Sequence, residues 1–128
     1  MKIAVLGGTG KLGMGFVARL QATGHTVAVG SRDLQKAQAA ATEAGGGLLP
    51  MTNLDAATWC DLAILTVPYA AHRTTIEPLS AALDGKILID ATVPLNPANF
   101  FRIATESGNS AAEETQALLA GKIGRAHV

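Results

Sequence analysis

The sequence predicts an α/β domain built on a doubly wound parallel sheet, and three observations carry that expectation. Short β-branched runs alternate with longer alanine-rich stretches, the rhythm of β-α-β units whose strands are buried on both faces. The first run, Lys2 to Leu6, passes straight into the glycine-rich segment Gly7-Gly8-Thr9-Gly10-Lys11-Leu12-Gly13. That segment opens a helical pattern with Leu12, Phe16, Val17 and Leu20 on one face. Unpaired N–H groups at a helix N-terminus, with the helix dipole behind them, attract anions, and glycines let a phosphate approach the backbone. Gly8, Gly10 and Gly13 fit G-x-G-x-x-G, and Gly7, Gly10 and Gly13 equally fit G-x-x-G-x-x-G. Glycine spacing alone is weak; its place between strand and helix makes it the dinucleotide-binding signal of a Rossmann fold.

The elements follow in order. Strands are expected at Ile3 to Leu6, Thr26 to Val29, Leu48 to Met51, Leu62 to Val67 and Lys86 to Asp90. Helices are expected at Lys11 to Ala22, Asp33 to Ala44, Leu54 to Thr58 and Ala70 to Leu83. Gly24 and Gly45 stop the first two helices, and Asp33 caps the start of the second. The segment Thr92 to Asn99, with Pro94 and Pro97, reads as irregular, and Asn96 to Gly108, including Phe100-Phe101, fits no pattern. Ser110-Ala111-Ala112-Glu113 is a capping box that opens a last helix to about Ala120.

At 128 residues the chain is large enough for one domain with a core and too short for a typical two-domain oxidoreductase. Ten basic residues balance ten acidic ones, so the charge suggests neither nucleic acid nor an anionic membrane surface as a partner. The longest apolar run, Leu62 to Val67, has the length of a buried strand rather than of a membrane span. Cys60 is the single cysteine and no signal-peptide pattern opens the chain, which makes the cytoplasm the expected compartment. His25, His72 and His127 have no metal-ligand spacing, and no metal site is expected.

The end of the second strand bears on which dinucleotide binds. An acidic residue there usually accepts hydrogen bonds from the adenosine ribose and favours NAD. Gly30-Ser31-Arg32 stands there instead, with Lys36 one helical turn beyond Arg32 on the same side. A hydroxyl and a guanidinium suit a ribose 2′-phosphate, so NADP is the expected cofactor. The competing readings are that Arg32 and Lys36 form an ordinary solvated helix start, and that a shift of one residue brings Asp33 to the ribose.

The conjunction of Gly7 to Gly13, Val29-Gly30-Ser31-Arg32 with Lys36, and Ala63-Ile64-Leu65-Thr66-Val67-Pro68 resembles the NADPH-dependent reductases of coenzyme F420. Asp90-Ala91-Thr92 with Pro94, and Ser110 to Glu114, extend the similarity to about Ala120. The resemblance implies hydride exchange between NADP(H) and the deazaflavin F420, and a homo-oligomeric whole protein whose further part supplies much of the deazaflavin pocket. It implies a pyrophosphate site at Gly8, Thr9, Gly10, Lys11, Leu12 and Gly13, and a 2′-phosphate site at Ser31, Arg32 and Lys36. It also implies that Thr66, Val67, Pro68 and Tyr69 lie along the path from adenosine to nicotinamide, with Thr92 and Pro94 beside the nicotinamide. Lys11 departs from an asparagine common in the family, and Tyr69 from a larger aromatic. Such chemistry mainly requires two planar rings held about 3 to 3.5 Å apart away from water, and no catalytic acid, base or nucleophile is identified.

Several residues also have plainer readings. Cys60 reads as a small core residue, and Trp59 as a packing residue. Tyr69 either faces the cofactor or closes the core, and Phe100-Phe101 reads as a wedge under a loop. Ile123-Gly124-Arg125-Ala126-His127-Val128 resembles the translation of a common short-read sequencing adapter. The expected organisation is thus a C-terminally truncated dinucleotide-binding domain over residues 1–122 and a non-native tail over 123–128, with the fifth strand left as an open edge. Two other functions fit the glycine turn: an NADP-linked reductase of an imine, a 2-hydroxy acid or a metal ion, and a non-catalytic NADP-sensing module.

Overall fold

The computed structural model describes residues 1–92, 95–96, 99–103, 111–118 and 125–127. Strand β1 (Lys2–Leu6) leads through the glycine turn into helix α1 (Lys11–Ala22), followed by β2 (Thr26–Ser31) and α2 (Leu34–Ala44). Next come β3 (Leu49–Thr52), α3 (Asn53–Trp59), β4 (Leu62–Leu65), α4 (His72–Ile76) and β5 (Ile87–Asp90). The main sheet is parallel in the order β3-β2-β1-β4-β5, so the winding reverses between β1 and β4. Ligands of open α/β sheets bind at such a reversal, outside the carboxyl ends of the strands.

The two faces of the sheet bury separate cores, as the period of two along a strand requires. Val5, Val27 and Val29 point to the side covered by α1 and α2 and pack with Val17, Ala37, Ala40 and Leu48. Ala4, Leu6, Ala63, Leu65 and Leu88 point to the other side and pack with Ala56 and Ala57 of α3, Ile76 of α4, and Leu79 and Leu83. Central β1 is therefore closed on both faces, with Ala4, Val5 and Leu6 fully buried. Cys60 belongs to the second core, where burial pushes its thiol up, and Trp59 packs against the same core with the Lys2 ammonium 5.5 Å from its ring centre.

Local signals account for most boundaries. Gly24 and Gly45 have φ of 84° and 63°, which glycine adopts without strain, and both close their helices through backbone N–H bonds. Asp33 accepts from the Gln35 N–H at 2.9 Å and caps α2. The helix expected over Ala70 to Leu83 is instead broken: 3₁₀ turns at Tyr69–Ala71 and Glu77–Leu79 flank the single α-turn of α4. Pro78 lacks the N–H that would extend α4, and its ring crowds the preceding turn. Among the described helices none is long and apolar enough to cross a membrane.

Beyond β5 the structure departs from expectation twice. The segment read as irregular contains an antiparallel pair, β6 (Leu95–Asn96) with β7 (Asn99–Ile103). A two-residue strand carries no periodicity, and Pro97 reads as a breaker, so this pair leaves no signal in the sequence. After α5 (Ala111–Leu118), strand β8 (Arg125–His127) pairs in parallel with β5, matching Ile87 with Arg125 and Ile89 with His127. The open edge expected at β5 is thus covered by main-chain pairing, which depends little on which side chains the strand carries. Pro94, Ser110 and the expected helix end at Ala120 lie outside the described residues.

Burial predicts the mutational response. Leu65→Ala removes a fully buried side chain and should lower stability by about 2 to 5 kcal/mol in urea unfolding, whereas Leu12→Ala, at a residue 54% exposed, should change it by less than about 0.5 kcal/mol.

Candidate functional site

A cleft of about 750 Å³ lies across the carboxyl ends of the strands. Its floor is the glycine turn. Gly8 donates its N–H to the Gly30 carbonyl at 3.1 Å, which ties the turn to the end of β2. Gly13, in the first turn of α1, lies against Gly8 so closely that a Cβ on Gly13 would meet the Gly8 carbonyl oxygen at 2.6 Å. Gly7 has φ of 67°, and its N–H donates to Asn53 Oδ1 at 3.1 Å. Thr66, after β4, donates its hydroxyl to the Leu6 and Gly7 carbonyls at 3.1 and 3.3 Å. Neighbours on β2, at the start of α3 and just after β4 thus fix the backbone of the turn. No side chain caps Gly10, so the N-terminus of α1 opens onto the cleft through Gly10, Lys11 and Leu12.

The walls differ in chemistry from end to end. Ser31, Arg32 and Lys36, at the end of β2 and the start of α2, line one end, and Lys11 lines the cleft at the N-terminus of α1; all but Ser31 are exposed. Asp33 stands there too, but its carboxylate accepts the Gln35 N–H of α2 and is occupied as a cap. The backbone N–H of Asp33 bonds the Ser31 hydroxyl at 3.2 Å, which fixes that oxygen at the end of β2. At the other end Val67, Pro68, Tyr69, Ala71 and Ala91 make a largely apolar wall.

Behind this apolar end sits a buried polar cluster. His72 Nε2 lies 2.8 Å from Asp90 Oδ2, and the Thr115 hydroxyl donates to the same oxygen at 2.6 Å. Thr115 Oγ1 is also 2.6 Å from His72 Nε2, and Asp90 Oδ1 accepts the Thr92 N–H at 2.9 Å. An Nε2–H shared between Asp90 and the threonine oxygen, with the threonine hydrogen on Asp90, satisfies all three groups. Burial alone would push the Asp90 carboxyl up, yet the hydrogen bonds from His72, Thr115 and Thr92 outweigh it and hold it below its ordinary value.

Residues 2–94 match the family described as NADP oxidoreductase coenzyme F420-dependent. The chain belongs to that family. It is 45% identical over 103 residues to the F420-dependent NADP reductase of Methanothermobacter marburgensis, covering 75% of this chain and 46% of that protein. It is 39% identical over 104 residues to the F420-dependent NADP reductase of Methanocaldococcus jannaschii, covering 74% and 46%. The chain thus spans less than half the length of these relatives. An imine reductase structure from Bacillus cereus superposes with a TM-score of 0.67 at 22% identity, over 98% of this chain and 38% of that one, which shows a shared fold.

Of the residues singled out by sequence in this family member, Thr9, Gly10, Lys11, Leu12, Ser31, Arg32, Lys36, Thr66, Val67, Pro68 and Tyr69 all line the cleft. Gly8 and Gly13 do not: they lie beneath it, packed on each other, and act through the backbone. Thr92 is buried beside Asp90 rather than on the cleft wall, and Pro94 lies outside the described residues. Sequence reasoning missed Asn53, which opens α3 and bonds Gly7 across 46 positions of chain. A polar residue at the end of the third strand was its only trace.

The glycine contacts and the buried carboxylate each predict a measurement. Gly13→Ala must part α1 from the turn and should lower stability by about 1 to 3 kcal/mol, whereas Gly10→Ala, with open space around it, should unfold within about 1 kcal/mol of wild type. Because the folded-state Asp90 carboxyl lies below its ordinary value of 3.8, its ionised form stabilises the fold above that pH and ceases to as pH falls through the folded value. In urea titrations the stability gap between wild type and Asp90→Asn should stay level near neutrality and narrow on acidification below that value.

Proposed function

We propose that this chain forms the NADP-binding part of an enzyme that exchanges a hydride between NADP(H) and coenzyme F420, with residues 1–122 as the cofactor domain. One observation carries the reading: a single cleft has a cationic end, an open helix N-terminus and an apolar end, which match the 2′-phosphate, the pyrophosphate and the nicotinamide of NADP in their order along the molecule. Gly10, Lys11 and Leu12 receive the pyrophosphate on the N-terminus of α1, while Gly8 and Gly13 hold that N-terminus against the turn. Ser31, Arg32 and Lys36 receive the 2′-phosphate. Asp33 Oδ1 accepts the Gln35 N–H as the cap of α2, and Arg32 and Lys36 are the cationic groups of that corner. Thr66, Val67, Pro68 and Tyr69 form the wall toward the nicotinamide. Bound NADPH supplies a hydride at its nicotinamide ring; the chain's part is to hold that ring flat in an apolar place, away from water. The F420-dependent NADP reductases named above support the identity of the second substrate.

Fluorescence titration of the chain with NADPH and NADH tests the cofactor assignment. Arg32→Ala should weaken NADPH by about 1.5 to 3 kcal/mol, roughly 10- to 150-fold in Kd, and leave NADH nearly unchanged. Equal losses for the two cofactors would refute the placement of the 2′-phosphate at Arg32.

A further inference from the structure

The His72, Asp90 and Thr115 cluster has no contact with the cleft, yet it joins the two segments that form the cleft's apolar end. Asp90 is fully buried, as is Thr115, and His72 is 2% exposed. A buried carboxylate–imidazole pair is a poor source of stability, because apolar residues of similar volume would serve the core as well or better. What the pair does supply is direction. The imidazole and carboxylate meet at 2.8 Å, which fixes the rotation of α4 against the end of β5, and the threonine hydroxyl locks both to α5.

Each locked segment carries wall residues. On the α4 side, the His72 ring stacks on Tyr69 with centres 5.9 Å apart and planes 25° from parallel. Thr75, another lining residue, donates its hydroxyl to the Ala71 carbonyl at 2.7 Å and stiffens the same turn. On the β5 side, Asp90 holds the Thr92 N–H and so pins Ala91, the lining residue between them. We propose that His72, Asp90 and Thr115 are positioning residues that set the separation of the Tyr69 wall from the Ala91 wall and thereby the seat of the nicotinamide ring. The proposal rests on the assignment of the cleft to NADP.

The experiment compares two ligands on the chain: NADPH, and adenosine 2′,5′-bisphosphate, which has the 2′-phosphate end but no nicotinamide. Thr115→Val keeps the volume and removes the hydroxyl; Thr115→Ser restores it. Thr115→Val should raise the Kd for NADPH about tenfold and leave that for adenosine 2′,5′-bisphosphate within about twofold, with Thr115→Ser close to wild type for both. A Thr115→Val chain that binds NADPH as wild type does, or that loses both ligands equally, would overturn the proposal. Should Thr115→Val fail to fold, His72→Gln decides instead: it keeps an N–H for Asp90 but has no ring to stack on Tyr69, and it must show the same split between the ligands. Wild-type chain that binds neither ligand would overturn the NADP assignment itself, and the proposal with it.

Discussion

The backbone of Gly13 rests directly on that of Gly8, and this contact governs the site. It brings the N-terminus of α1 down onto the end of β1, closer than any side chain would allow. From there the constraint spreads outward. Gly8 bonds the end of β2, Gly7 bonds Asn53 at the start of α3, and Thr66 closes the gap to β4. Four elements are therefore referenced to one turn, and the reversal of winding between β1 and β4 leaves space above it rather than a crossing helix.

Electrostatics are local in this molecule. Acidic and basic residues cancel over the whole chain, so net charge supplies no attraction for an anion. Lys11, Arg32 and Lys36 all line the cleft and act over about a Debye length, roughly 8 to 10 Å at ordinary salt. Among the described lining residues the opposite end has no cation, and the buried Asp90 carboxylate behind it is held by His72, Thr115 and the Thr92 N–H. A ligand bearing phosphate at one end and a flat, weakly polar ring at the other meets matching surroundings at both.

The parts that were legible in the sequence share a physical character. The glycine turn, the two glycine helix stops and the Asp33 cap are local: neighbours in the chain determine them. The strands were legible because burial on both faces leaves unbroken apolar runs such as Ile3 to Leu6. What stayed hidden depends on distance in sequence. Asn53 serves Gly7, and Thr115 serves His72 and Asp90, through contacts spanning 46, 43 and 25 positions. Thr92, which the family resemblance puts beside the nicotinamide, is buried and donates its N–H to Asp90 Oδ1, a contact that the resemblance does not reveal. The helix expected over Ala70 to Leu83 is interrupted at Pro78, whose missing N–H cannot extend α4.

Cys60 is the chain's single cysteine, and it is 3% exposed, with its thiol pushed up by burial and donated to the Ala57 carbonyl at 3.5 Å. Thiolate is the form that reacts, so in the folded chain this sulfur is a silent group toward alkylating reagents. A cysteine introduced on the open face of α2 would therefore take a fluorophore alone, with no background substitution to remove first. Conversely, slow modification of the native chain would time the parting of α3 from the sheet. The same buried atom makes the molecule both a clean carrier for a probe and its own clock for local opening.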